Sequence, residues 1–486
     1  MATTTGWPWR KITAFLIVIV LLLAVAGYVG YDKFLRELPP PHFASDEEHF
    51  LYGSIGTESL TGVPYWIWLV LPRLFPEYLP GPGGYASLGI PWHEGHETPV
   101  GFTKVTVGFP RVGFNCAFCH TATWRAKSED TATIVATGPS HQAAVQSYLR
   151  FLFACAGDPR FTAKNILAEI SRNYRLPWVD AQLYRYLIIP FTGMALRKQS
   201  QQNAWMDTRP DWGRGRIDPF NPVKFGFLKL PVDDTIGNSD MEPVWNQRTR
   251  QGMSLHWDGL NTNHTEVVLS SALGDGATKK WVDRDFQNWR NGSSLQRIQK
   301  YLMDVQAPTY PFPVDQQRAS EGKNIFDRHC ASCHAFGQQR TGTVIHVDEV
   351  GTDRHRLDMW TAEAARAYNA YGQGHAWKFN AFTKTPGYVA VPLDGVWLRA
   401  PYLHNGSVPS LWDLLEIPEK RPQLFYRGYD VYDPQKVGFI TEGSEAERAG
   451  FRHETSVHGN GNGGHLYGTA LSPAEKEALI EYLKTL

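Results

Sequence analysis

Two short strings in the chain combine residue types whose spacing could do chemistry. Cys116-Ala117-Phe118-Cys119-His120 and Cys330-Ala331-Ser332-Cys333-His334 each set two thiols three residues apart with a histidine directly after them. On one helical turn such thiols reach the two vinyl groups on one edge of a porphyrin, and the adjacent imidazole lies below the ring, where it ligates the iron. A zinc site wants four ligands in compact pairs, whereas these strings stand far apart in the chain. A redox dithiol wants a βαβ setting, and no such pattern surrounds either string. The residues therefore point to two covalently bound c-type haems, attached through Cys116, Cys119, Cys330 and Cys333, with His120 and His334 as iron ligands.

The remaining cysteine, Cys155, lies in the apolar run Phe151-Leu152-Phe153-Ala154-Cys155-Ala156 and reads as a buried, inert thiol. A second axial ligand is Met or His, and an open position permits ligand chemistry. Beyond the second string the one methionine is Met359, and the histidines are His346, His355, His375, His404, His453, His458 and His465. For the first iron, His141, His256, His264 and Met241 are the candidates, none with a motif behind it. Residue chemistry alone leaves both choices open.

The elements that must position these residues lie in a chain of 486 residues, enough for two or three domains. Lysine plus arginine equals aspartate plus glutamate, 48 against 48. This balance gives no electrostatic footprint for nucleic acid or an acidic polymer. Residues Ile12 to Tyr31 carry no charge and are long enough to cross a bilayer. Arg10 and Lys11 precede them, which places the tail in the cytoplasm and the body outside. The competing reading is a cleaved signal peptide, with Ala24-Val25-Ala26 as the small-x-small site; the apolar run continues past it, and a retained anchor is expected. Asp32 to His42, with Pro39-Pro40-Pro41, reads as a stiff spacer.

Phe43 to about Asn115 reads as loop-rich, with Tyr65 to Phe75 either a buried segment or a contact with the membrane surface. Helical spacing marks Gln142–Ala156, Thr162–Tyr174, Thr265–Leu273, Leu295–Val305 and Ala319–Arg328, and Ala181–Leu196 despite Pro190. Asp207–Pro222 reads as an irregular loop. Ser472 and Pro473 are an N-cap and first-turn proline for a closing helix. No strong alternating pattern predicts a sheet. The expected fold is mainly α, with long loops. The expected division is a membrane segment over 1–31, a first haem domain with insertions over 32–306, and a C-terminal haem domain over 307–486, the boundary set by Pro308, Pro311 and Pro313.

Both haem strings, together with His256-Trp257-Asp258-Gly259, Ala400-Pro401-Tyr402-Leu403-His404-Asn405-Gly406-Ser407 and Gly463-Gly464-His465-Leu466-Tyr467-Gly468, resemble the di-haem cytochrome c peroxidase superfamily. The nearest likeness is to the branch that includes the haem-type rubber oxygenases. The resemblance implies two cytochrome c-like domains whose haems face a shared interface. The first haem would do the chemistry and the second would pass electrons. It further implies Trp257 as the inter-haem electron path, His465 as the distal ligand of the second iron, His404 packed beside the second haem and Arg399 paired with a propionate. The chain departs from the peroxidases in having no Met shortly after the His404 segment, where Leu414-Leu415-Glu416-Ile417-Pro418 stands. Downstream of Trp257 its only acids near the expected place are Glu266 and Asp275. It departs from the rubber oxygenases in having Ala272-Leu273 where an aromatic is expected.

Taken together these readings predict a di-haem oxidoreductase, peroxidase-like or dioxygenase-like, whose first haem activates O2 or peroxide. The alternative is a non-catalytic, membrane-tethered electron-transfer cytochrome. The expected setting is the bacterial inner membrane, single-pass, with the haem domains in the periplasm. The expected partners are an electron donor or acceptor protein there and the membrane itself.

Overall fold

The computed structural model describes residues 9–59 and 61–486. Its first element, α1 (Trp9–Gly30), is exposed along its length, and Lys11–Leu35 is long and apolar enough to cross a membrane. A signal sequence would share that length and composition. The cytoplasmic tail expected before α1 falls on residues outside those described. A π turn over Tyr31–Leu35 follows. The stiff spacer expected after it is annealed to the body, because the Leu38 amide donates to the Thr106 carbonyl at 3.0 Å and the Gly108 amide to the Arg36 carbonyl at 2.8 Å.

The body is helix-rich. Helices α2 (Asp46–Tyr52) and α3 (Tyr65–Leu74) precede the first haem string. Ile67, Trp68, Val70 and Leu71 of α3 are fully enclosed, so of the two readings of this stretch the buried one holds. After the string come α4 (Val145–Gly157), α5 (Ala163–Ser171), α6 (Trp178–Leu183) and α7 (Ile189–Gln202). The helix expected over Ala181–Leu196 is interrupted by a π turn at Tyr184–Ile188, and Pro190 falls directly after it in α7. Then follow α8 (His264–Gly274), α9 (Lys279–Gln287), α10 (Ser294–Asp304) and α11 (Gln316–His329).

The sequence reading missed a sheet. Strand β1 (Val63–Pro64) pairs with β3 (Phe109–Phe114), which forms an antiparallel hairpin with β2 (Phe102–Val107). Side chains on both faces of this hairpin are partly covered, which removes the in–out alternation that would have announced it. Asp207–Pro222 is irregular as expected, apart from a 3-10 turn at its start and the two-residue strand Arg216–Ile217.

In the second half α11 crosses the closing helix, Pro473–Leu483. The crossing is close because Gly322 lies at it: a Cβ there would stand 1.8 Å from the Ala478 carbonyl oxygen. The closing helix starts with a full capping box between Ser472 and Glu475. One apolar core lies wholly in the first half. A second joins Phe50, Leu260 and Leu269 to Trp360, Tyr368 and Phe379 of the second half.

Candidate haem sites

Each string is presented by a turn that its own neighbours fix. Asn115 caps the turn Cys116–Phe118 by accepting from the Ala117 amide at 3.0 Å, and its side-chain amide donates to the Gly53 carbonyl at 2.9 Å. Helix α11, capped by Asp315, runs to His329; the Cys330 amide closes on the Phe326 carbonyl, and the turn Ala331–His334 follows. All four string cysteines are free and only partly covered, whereas Cys155 is fully enclosed. Burial pushes the Cys116 thiol up to about 12 and the Cys330 thiol up to about 11.

Both string histidines are held in one tautomer. The His120 Nδ1 donates to the Glu242 carbonyl at 2.7 Å, and the His334 Nδ1 donates to the Val391 carbonyl at 2.7 Å. Protonating Nδ1 leaves the Nε2 lone pair for a metal, and a backbone carbonyl behind the ring fixes its orientation. Burial lowers both pKa values, so both rings are neutral, as ligation requires.

The two sites differ on their far sides. The ring of His465 stands 6.1 Å, centre to centre, from that of His334. Two metal–imidazole bonds of about 2 Å each, with the rings' own radii, span roughly this distance. His465 is held at a backbone φ of 47° in the loop whose carbonyls Arg421 binds, and its pKa is pushed down to about 3, chiefly by burial, with the nearness of His334 and the charge of Arg421 adding to the fall. Among the described residues no ring faces His120 in this way. Of its four candidate partners, His256 alone lies close enough to His120 for the two rings to repel each other when protonated; His141 instead stacks on Phe439 at 3.6 Å, and Met241 is buried in the core.

The two candidate acids also separate. Glu266 is spent on structure, accepting from the Asn380 and Ala381 amides at 3.0 Å each and from Asn261. Asp275, just past the end of α8, has no such partner among the described residues. Burial alone pushes its carboxyl up to about 7, and it lies close enough to Cys116 and Cys119 to raise both thiols.

Between the sites runs a connected set of groups. The Trp257 Nε1 donates to the Asp240 carbonyl at 2.9 Å, two residues from the carbonyl that holds His120. The Trp257 carbonyl accepts from the Val389 amide at 2.8 Å, two residues from the carbonyl that holds His334. Asp258, next to Trp257, is paired with Arg356 through bonds of 3.1 and 3.3 Å, both side chains enclosed. Glu242 turns its carboxyl into the same region, where burial pushes it up to about 8 against the pull of Arg356 and Arg399. Sequence reading had no signal for Glu242, Arg356 or the Asp240–Arg427 pair, since their partners are remote in the chain.

Arg399 is enclosed and donates to Asp394 at 3.0 Å and to the Pro392 carbonyl at 2.8 Å; its Nε is buried with no partner. The fit to a haem acid group rests on that one N–H. His404 stacks on Tyr388 at 4.1 Å, and its carbonyl accepts from the Asp240 amide, so it braces the inter-site segment.

A family described as RoxA-like, cytochrome c-like matches residues 387–426, which include Tyr388, Arg399 and His404. A segment of this type implies covalently bound haem and a haem-based cytochrome function, and it loosely supports the likeness to the rubber-oxygenase branch. Two proteins of Sinorhizobium fredii, both named as uncharacterized, are similar to the chain. One, y4iM, is 31% identical over 242 residues, which cover 44% of this chain and 52% of that protein. The other, y4iJ, is 29% identical over 237 residues, covering 36% of this chain and 39% of that protein. The chain thus spans about half the length, or less, of the curated relatives it matches.

Proposed function

We propose that this protein is a di-haem c-type cytochrome oxidoreductase of the peroxidase–oxygenase type, anchored by α1, with unequal irons. The observation that carries the reading is the asymmetry of the sites: the ring of His334 is faced by that of His465, and among the described residues no ring faces His120 in the same way. A haem held at Cys116, Cys119 and His120 supplies an iron that binds O2 or peroxide and exchanges single electrons. Asp275 is the proton-moving group beside that haem, since a carboxyl raised to about 7 holds and releases a proton near neutrality. Cys330, Cys333 and His334 would hold the second haem, His465 would be its further ligand, and the group would supply electron transfer from a periplasmic or membrane partner. Trp257 links the backbone segments on which both string histidines rest and is the path between them. Arg399 and His404 brace the second site.

Titrating the oxidised protein with cyanide while recording the visible spectrum tests this reading. The spectrum of one haem of the two is expected to shift. A spectrum that cyanide leaves unchanged would favour a pure carrier with both irons closed.

A further inference from the structure

Soluble faces of globular proteins rarely present several large apolar side chains side by side. The outer face of α6, the π turn and α7 does so. Trp178 is 76% exposed, Tyr186 67%, Phe191 58% and Met194 53%, with Leu187 among them. The inward side of the same segment is ordinary core: Tyr184, Ile188, Ile189 and Leu196 are enclosed. The exposed residues are therefore a deliberate second apolar face on an element that already has one.

The place of this face says what covers it. Lys33, in the π turn that continues α1, is ion-paired with Asp180 of α6 at 2.9 Å. Tyr28 and Tyr31, exposed near the end of α1, lie within about two helical turns of Lys33 and are the residue type that marks a membrane–water boundary. Trp178 and Val179 adjoin Asp180, so they stand at the depth where α1 leaves the bilayer. The connection is short and stiff, because the segment after the turn is hydrogen-bonded to the tip of the β2–β3 hairpin, and Phe109 of that tip packs on Tyr184. Beside the apolar face, a cleft of about 670 Å3 between α5 and α6 is rimmed by Lys164, Arg175 and Arg185 over Leu167, Ile170 and Tyr174. Cations rimming apolar residues match the headgroup level of a bilayer that carries anionic lipid.

We infer that the α6–α7 face lies on the surface of the bilayer that α1 crosses, with Trp178, Tyr186, Phe191 and Met194 entering the headgroup–acyl boundary and the basic cleft facing anionic headgroups. This inference rests on the reading of α1 as a retained span. The haem body then sits at a fixed orientation to the membrane and does not swing on a tether.

The test uses the full-length holoprotein in nanodiscs of phosphatidylcholine and phosphatidylglycerol. Spin labels are placed at Phe191→Cys and, separately, Met194→Cys, with Val20→Cys as the span control and Lys323→Cys of α11 as the aqueous reference. Haem attachment blocks the string thiols and Cys155 is fully enclosed, so the introduced thiol takes the label. At residues 191 and 194 the ratio of oxygen to nickel-chelate accessibility is expected to shift from the residue 323 value towards the residue 20 value. If residue 20 reads lipid while 191 and 194 read water, the surface contact is overturned and the span stands. Dipolar broadening between labels at 191 would mean that a second copy covers the face, and would overturn it too. If residue 20 reads water, the span reading and this inference fall together.

Discussion

His334 and His465 come from opposite ends of the second half, and backbone restraints hold both: a carbonyl behind one ring and a loop tied to Arg421 behind the other. Trp257 is restrained on both sides, by its indole N–H and by its carbonyl. Replacing it with Phe keeps an aromatic ring in the apolar setting, trims the indole and removes the bond to the Asp240 carbonyl. Trp257→Phe is expected to leave both haem spectra unchanged and to slow electron equilibration between the haems in stopped-flow reduction. An unchanged rate would remove Trp257 from the path. A separate residue-scale effect concerns acid stability. His141 is enclosed, both its ring nitrogens lack partners, and its pKa falls from 6.5 to about 3 through burial and the charges of Arg427 and Arg214. The folded protein thus binds fewer protons at this site than the unfolded chain. The stability involved is present above pH 6.5 and is lost as pH falls towards 3, by at most about 1.4 kcal/mol per pH unit. His141→Phe, which can keep the stack on Phe439, is expected to flatten that slope in urea melts between pH 6.5 and 4. The two strings stood out because Cys-x-x-Cys-His is a local pattern. Glu242 and Arg356 did not, because what defines them is a contact between remote segments.

At the scale of elements, the crossing of α11 with the closing helix sets where Cys330 and His334 emerge. Gly322→Ala puts a methyl against the Ala478 carbonyl, and overpacking of this kind costs about 1–3 kcal/mol. The variant is expected to melt several degrees lower by circular dichroism and to carry less of the second haem, with the first retained. An unchanged melting temperature would show that the helices separate at no cost. Most helices were readable from 3.6-residue spacing, and the cap at Ser472 was readable from its residue types. The β2–β3 hairpin was hidden because both of its faces are partly covered. The division of the α6–α7 segment was hidden because a π turn leaves the apolar spacing almost undisturbed.

For the whole molecule, the apolar N-terminal helix was legible from length and charge alone, but its docking was not. The strap over Arg36–Leu38 and the Lys33–Asp180 pair are contacts between segments distant in sequence, and they turn an expected spacer into a mount. The unequal surroundings of His120 and His334 are likewise a property of the assembled chain. An electron paramagnetic resonance spectrum of the purified, air-oxidised, full-length protein tests that inequality most directly. The account predicts one low-spin signal, from the iron between His334 and His465, beside one high-spin signal from the iron on His120. Two low-spin signals and no high-spin component would contradict it.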